Sequence, residues 1–231
     1  MSKHHVCPWW LGYLLASPIR RFAQDPHKIL HPHVREGMTV LEPGPGMGFF
    51  TLELLRLTSP SGRVVVVDIQ PRMLAVLKRR ATKAGLLDRL DARVAQPDSL
   101  GLADLDGSVD FALAFAVVHE LPAAGPFFAE VSRALKPGAR LLLAEPVGHV
   151  KPAEFEAELR DAASAGLVLV DRPAIWRSST ALLEKKVRQR LSTKRAGSAT
   201  SSLEHGADRL LVFRKVALDH RQVEGAKDAR V

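Results

Sequence analysis

Cysteine and tyrosine occur once each in this 231-residue chain, as Cys7 and Tyr13, and aromatic residues make up only 6% of it. A single cysteine excludes an internal disulfide, so any fold must rest on packing and hydrogen bonding. No apolar run approaches the roughly 18 to 20 residues of a membrane-spanning helix. The N-terminus also lacks a basic stretch followed by an apolar core and a cleavage site, which makes a cytoplasmic location the default expectation. No cysteine and histidine stand at a recognisable metal spacing; His4, His5, His27, His31 and His33 are expected in polar loops or caps, and no metal is expected.

What the chain does have is enough apolar material for one globular core, with 46% hydrophobic residues. Its net charge of +8 would suggest a polyanionic partner, but the distribution argues otherwise. Residues 187–231 hold ten Lys/Arg and five Asp/Glu, so this segment carries +5 and the remaining 186 residues only +3. Nucleic acid is therefore not an expected partner of the folded body. The stretch from Thr193 to Ser202 is rich in Ser, Thr, Ala and Gly and reads as a flexible extension.

The most informative stretch runs from Val40 to Thr51, VLEPGPGMGFFT, an apolar run that meets an acid and then a glycine-rich turn. Gly44, Gly46 and Gly48 let backbone turn sharply and approach a ligand where a Cβ would clash, while Pro43 and Pro45 restrict φ and favour a preformed loop. A dinucleotide fingerprint has a different glycine spacing and holds a pyrophosphate. Here Glu42, just ahead of the glycines, would repel a pyrophosphate and attract a cation. The next strand-like run ends in Asp68, where open α/β sheets place a carboxylate to accept hydrogen bonds from a ribose. A nucleoside with a cationic amino-acid tail is S-adenosylmethionine.

On these residues the chain resembles the class I S-adenosylmethionine-dependent methyltransferases. The likeness covers EPGPGMG at residues 42–48, VVDIQPRML at 66–74, the Gln96-Pro97-Asp98-Ser99 turn, VDFALAF at 109–115 and LKPGARLLLAEP at 135–146. The resemblance implies an α/β fold, a Rossmann-like, doubly wound, seven-stranded, mostly parallel sheet with helices on both faces and an antiparallel last strand. It also implies a cofactor site built from Glu42, Gly44, Pro45, Gly46, Gly48, Asp68, Ile69, Asp98, Ser99 and Ala116. In that arrangement Asp98 receives the adenine amino group and Ile69 packs on the ring; a helix cap is the other reading of Asp98.

Alternation of Val/Leu-rich runs with helical patterns independently predicts a parallel sheet. Strands are expected at 39–42, 63–68, 91–95, 109–115, 140–145, 167–171 and 181–184, and helices at 49–57, 71–84, 126–135 and 152–165. Gly85 and Lys136-Pro137-Gly138 are expected helix stops. Residues 1–37 form a cap or lid segment, 38–186 the methyltransferase domain, and 187–231 a basic extension. Two alternatives stay open at the ends. Cys7 to Pro18, with Trp9 and Trp10, reads as a lid over the cofactor, as a helix capping the sheet, or as a shallow membrane contact. Leu210 to Val216 could supply the seventh strand in place of Ala181 to Glu184.

Acceptor chemistry is expected at the ends of the fourth and fifth strands, where AVVHEL at 116–121 and EPVGH at 145–149 each hold an acid and a histidine. His119 and His149 are the candidate proton acceptors, with structural hydrogen bonding as the other reading. Methyl transfer does not require a base, because in-line positioning alone can supply roughly 7 to 11 kcal/mol. A small-molecule acceptor is favoured, since no NPPY or DPPY motif follows the fourth strand. The competing classes are a cofactor-binding regulatory protein without turnover and an RNA methyltransferase using the basic extension. The oligomeric state is not legible.

Overall fold

The computed structural model describes residues 24–96 and 98–187. Its strands are β1 (Thr39–Pro43), β2 (Arg63–Asp68), β3 (Leu90–Val94), β4 (Val109–Phe115), β5 (Leu135–Pro146), β6 (Leu167–Asp171) and β7 (Ser178–Lys185). The helices are α1 (Pro26–Leu30), α2 (Thr51–Leu57), α3 (Pro71–Lys83), α4 (Ala124–Ala134) and α5 (Pro152–Ser164). All seven strands form one sheet in the order β3-β2-β1-β4-β5-β7-β6. Neighbours from β3 to β5 pair in parallel, and β7 runs antiparallel to both β5 and β6. This is the expected fold class, with Ser178–Lys185 as the antiparallel strand.

Side chains alternate across the sheet as period 2 requires. Leu41, Val65, Val67, Leu141 and Leu143 pack with Phe128 and Val131 of α4 and Phe155 of α5. Val40, Val64, Val66, Phe111 and Leu142 pack on the opposite face with Leu54 of α2 and Leu77 of α3. The helices supply the matching stripes: in α3, Met73, Leu74, Leu77 and Ala81 are buried, three or four residues apart along one side. The long apolar runs of β2 and β4 follow from cover on both faces.

Local chemistry sets the boundaries that differ from expectation. Helix α2 begins at Thr51 and not at Phe49, because the chain is still turning at Gly48, whose φ is +83°. Lys136-Pro137-Gly138 does end α4, but the residues after it already belong to the sheet. Leu135 pairs with Val109, the register then slips, and Arg140 pairs with Phe111. Gly138 sits in that irregularity at φ +77°. Strand β3 lies one residue earlier than expected, at Leu90–Val94, and β7 starts at Ser178, three residues before Ala181. Within the expected cap segment, α1 is capped by Asp25, whose side chain accepts from the His27 amide. The Cys7 to Pro18 segment and Leu210 to Val216 lie outside the described residues.

Because β1 pairs with both β2 and β4, connections leave it in opposite directions, the place in open α/β sheets where ligands bind beyond the carboxyl ends of the strands. The sheet described here is complete at Lys185, with Ala181, Leu182 and Leu183 already buried. A protein ending after Val187 is therefore expected to melt cooperatively near the full-length temperature in scanning calorimetry. Failure of that shortened protein to fold would show that residues 188–231 complete the core.

Candidate functional site

Glu42 and Asp68 end neighbouring strands on the same face as Val40 and Val66, so both carboxyls turn toward the start of α2. Both are buried, at 3% and 9% exposure. The Thr51 hydroxyl donates to Glu42 Oε2 at 2.6 Å. Burial pushes the Glu42 carboxyl up to about 8; the Thr51 hydrogen bond opposes this and the Asp68 charge adds to it. Asp68 is also raised by burial, against hydrogen bonds from the backbone of Gln70, at 2.8 Å, and of Gly46. Among the described residues neither carboxyl meets a lysine or arginine. Two buried acids without a cation are costly unless a ligand provides one.

The three glycines of the connecting loop do different work, although all have positive φ. A Cβ on Gly44 would lie 2.5 Å from Val117 Cγ2, and one on Gly48 would lie 2.2 Å from Leu77 Cδ1. Those two glycines allow close packing against the loop after β4 and against α3. A Cβ on Gly46 would meet nothing within 4 Å. Of the three, Gly46 is the one that faces open space, so a ligand can approach its backbone from the side a Cβ would occupy. The sequence suggested that all three glycines serve this approach; the packing role of the outer two depends on tertiary neighbours. The loop is held by Gly44 N–H on Val67 O at 2.8 Å, Gly48 N–H on Pro45 O at 2.9 Å and Arg80 on Met47 O.

Beyond β2, Ile69 is 48% exposed on the rim. The turn after β3 closes through Gln96 and Ser99, with Asp98 exposed, and no helix starts there for Asp98 to cap. Ser99 Oγ bonds Glu130 Oε2 at 3.2 Å and receives the Gly101 amide at 3.0 Å. At the end of β4, Ala116 adopts φ +56°, a conformation that L-residues rarely take and that recurs at functional sites. Its N–H bonds Ala144 O at 2.8 Å, which fixes the turn that carries His119.

The histidines pair across strands and not within their own motifs. Glu145, fully buried, accepts from the Val117 and Val118 amides at 3.2 and 2.8 Å through Oε1, and its Oε2 bonds His119 Nδ1. The His149 ring lies 5.7 Å from that of His119. Burial lowers the His119 pKa, but the Glu145 hydrogen bond and the charges of Glu145, Glu120 and Glu158 outweigh it and hold the ring above its ordinary value. Thr51, Val117 and Glu158 were not singled out from sequence. Glu158 did leave a signal, as an acid on the α5 face that buries Phe155 and Ala162.

Comparison with known proteins bears on the family and the fold. The family described as Methyltransferase domain matches residues 41–143. A SAM-dependent methyltransferase from Aquifex aeolicus superimposes with a TM-score of 0.68 at 25% identity, over 78% of this chain and 98% of that one. Residues 41–143 thus match a methyltransferase domain, within a chain that has the fold of the class I S-adenosylmethionine-dependent methyltransferases. A ubiquinone/menaquinone biosynthesis C-methyltransferase from Brucella canis is 32% identical over 117 residues, covering 50% of this chain and 42% of the relative. The chain thus spans less than half the length of the curated relatives it matches. The [4+2]-cyclase SpnF shares the fold at a TM-score of 0.58 and 18% identity, over 69% of this chain and 79% of its own. Fold alone therefore does not fix the reaction, and the site must. Among the described residues no helix is long and apolar enough to cross a membrane.

Proposed function

We propose that the chain binds S-adenosylmethionine in the crevice over Gly46 and transfers its methyl group to a small-molecule acceptor. The observation that carries this is the pairing of open space at Gly46 with two buried carboxyls, Glu42 and Asp68, that have no cationic partner among the described residues. Glu42 holds the ammonium of the cofactor's amino-acid tail, directly or through water, and Asp68 accepts from the ribose hydroxyls. The backbone from Gly44 through Pro45 and Gly46 to Gly48 lies against the tail, Ile69 packs on the adenine, and Asp98 with the Ser99 backbone receives its edge. Ala116 leaves room beside the reacting methyl.

When bound, S-adenosylmethionine supplies an electrophilic methyl group on a sulfonium and leaves as the neutral thioether. The chain's own part is to hold donor and acceptor in line and keep water out. A small-molecule acceptor is supported by the relatives named for C-methylation in quinone biosynthesis and by the near-neutral charge of the described body.

Asp68→Ala tests the site directly. Calorimetry with S-adenosylmethionine should show affinity lowered by about 1.5 to 3 kcal/mol, the range for hydrogen bonds to a charged group. Unchanged affinity would remove Asp68 from the site.

A further inference from the structure

The cofactor crevice leaves one buried polar cluster unused. Period 2 puts Glu145 on the face of β5 shared with Leu141 and Leu143, toward α5, and α5 turns Glu158 into the same interface. Glu145 is saturated by the two amides and His119. Glu158 is 9% exposed, and its Oε2 is buried without a hydrogen-bond partner. A buried, unsatisfied carboxyl oxygen normally costs stability and calls for a reason. The groups facing His119 are Glu120 on its own turn, Glu145 on β5, His149 after β5 and Glu158 on α5, with Glu154 and Asp161 flanking Glu158 on the same helix. The cluster sets several carboxyl groups around a single imidazole ring.

We infer that His119 is the proton acceptor for a hydroxyl-bearing methyl acceptor, with Glu145 as the positioning residue that holds it and Glu158 buried in the same interface. This rests on the methyltransferase reading above. Glu145 fixes Nδ1 as the bonded nitrogen, and no described residue meets Nε2, so Nε2 is the atom left to receive a proton. In the step, the acceptor's O–H bond breaks and its proton goes to Nε2. The electron pair stays on the acceptor, as nucleophile at oxygen or at the carbon conjugated to it, for the methyl group the cofactor supplies. The new imidazolium lies against Glu145. Burial and the Glu145 charge push Glu158 up to about 8, so it is mostly protonated at neutral pH and keeps its proton through the step.

The experiment uses full-length protein labelled at histidine and titrated by NMR, free and with S-adenosylhomocysteine, with the His119 signal assigned from His119→Gln. In wild type the imidazole should titrate above its ordinary value. Glu145→Gln should lower it by about 1 to 3 pH units, and Glu158→Gln by a smaller, resolved shift. Since Glu158 Oε2 bonds nothing, Glu158→Gln keeps the fold even if loss of the Glu145 carboxylate does not. 4-Nitrophenol added to the S-adenosylhomocysteine complex below its own pKa should show the phenolate absorbance, and His119→Gln should abolish it. Identical His119 titration in wild type and Glu158→Gln would overturn the cluster. Absence of phenolate absorbance in wild type, or its persistence in His119→Gln, would overturn the acceptor class. If S-adenosylhomocysteine does not bind at all, the methyltransferase reading fails instead, while titration of the free protein still decides the cluster.

Discussion

Gly46→Val should yield a folded protein that no longer binds S-adenosylmethionine, whereas Gly48→Val should fail to fold. The two positions are two residues apart and both have positive φ, so a side chain at either carries left-handed strain of roughly 1 to 2 kcal/mol. What separates them is the space beyond Cβ. At Gly46 there is nothing within 4 Å, so the new side chain stands in the ligand volume. At Gly48 the first carbon alone would lie 2.2 Å from Leu77 Cδ1, and Leu77 is fully buried, so any shift of it must displace its neighbours in the core. Overpacking of that kind costs about 1 to 3 kcal/mol for small insertions, and a branched side chain added to the strain approaches the whole stability of a domain. Circular dichroism with cofactor calorimetry separates the outcomes. A folded Gly46→Val that binds normally would move the ligand elsewhere.

The second large effect is a pH dependence of cofactor affinity set by Glu42. With its carboxyl raised to about 8 in the free protein, Glu42 is mostly protonated at pH 6. An ammonium ligand favours the ionised form, so binding must expel the proton, and affinity rises with pH until the free carboxyl ionises on its own. The increase should start near tenfold per unit at pH 6 and flatten toward pH 8, where Glu42 is half ionised and the ligand amine half neutral, roughly twentyfold in total. Above pH 8 the ligand's own α-amino group, with an ordinary pKa of about 7.7 to 8, loses its charge and the trend turns over. Calorimetry in buffers of different ionisation enthalpy should count about one proton released at pH 6. Glu42→Gln should weaken binding and remove the rising limb. A flat profile without proton release would mean that Glu42 does not meet the cation.

Much of the cofactor half was legible because its signals are local. Strands 63–68 and 109–115 appear at the expected residues, since β-branched and leucine runs bounded by an acid or a turn leave little freedom. Carboxylates at strand ends and a glycine turn are local signals of the same kind, and the structure brings Glu42, Asp68 and the Gly46 backbone together. What sequence could not assign depends on residues far apart in the chain. The packing of Val117 against Gly44 leaves no local mark, and the Lys136-Pro137-Gly138 stop hides a strand whose first residue pairs with Val109. Motif reading places His119 beside Glu120 and Glu145 near His149. Parallel pairing of β4 and β5 instead brings His119 to Glu145, 26 residues on. Lateral register created that pair, and no local spacing announces it.

The place of β7 in the sheet has a consequence for how the protein is made. It follows β6 in the chain yet lies between β5 and β6, and among the described residues β6 pairs with no other strand. During synthesis β5 and β6 therefore emerge with their facing edges open, and neither edge is satisfied until Ser178–Lys185 has left the ribosome. Closure of the sheet is then a late event of long sequence separation, from Leu143 to Ala181 for example. A chain stalled before Ser178 would expose the bare edge of β5 beside an unpaired β6, the kind of surface through which nascent chains stick to one another.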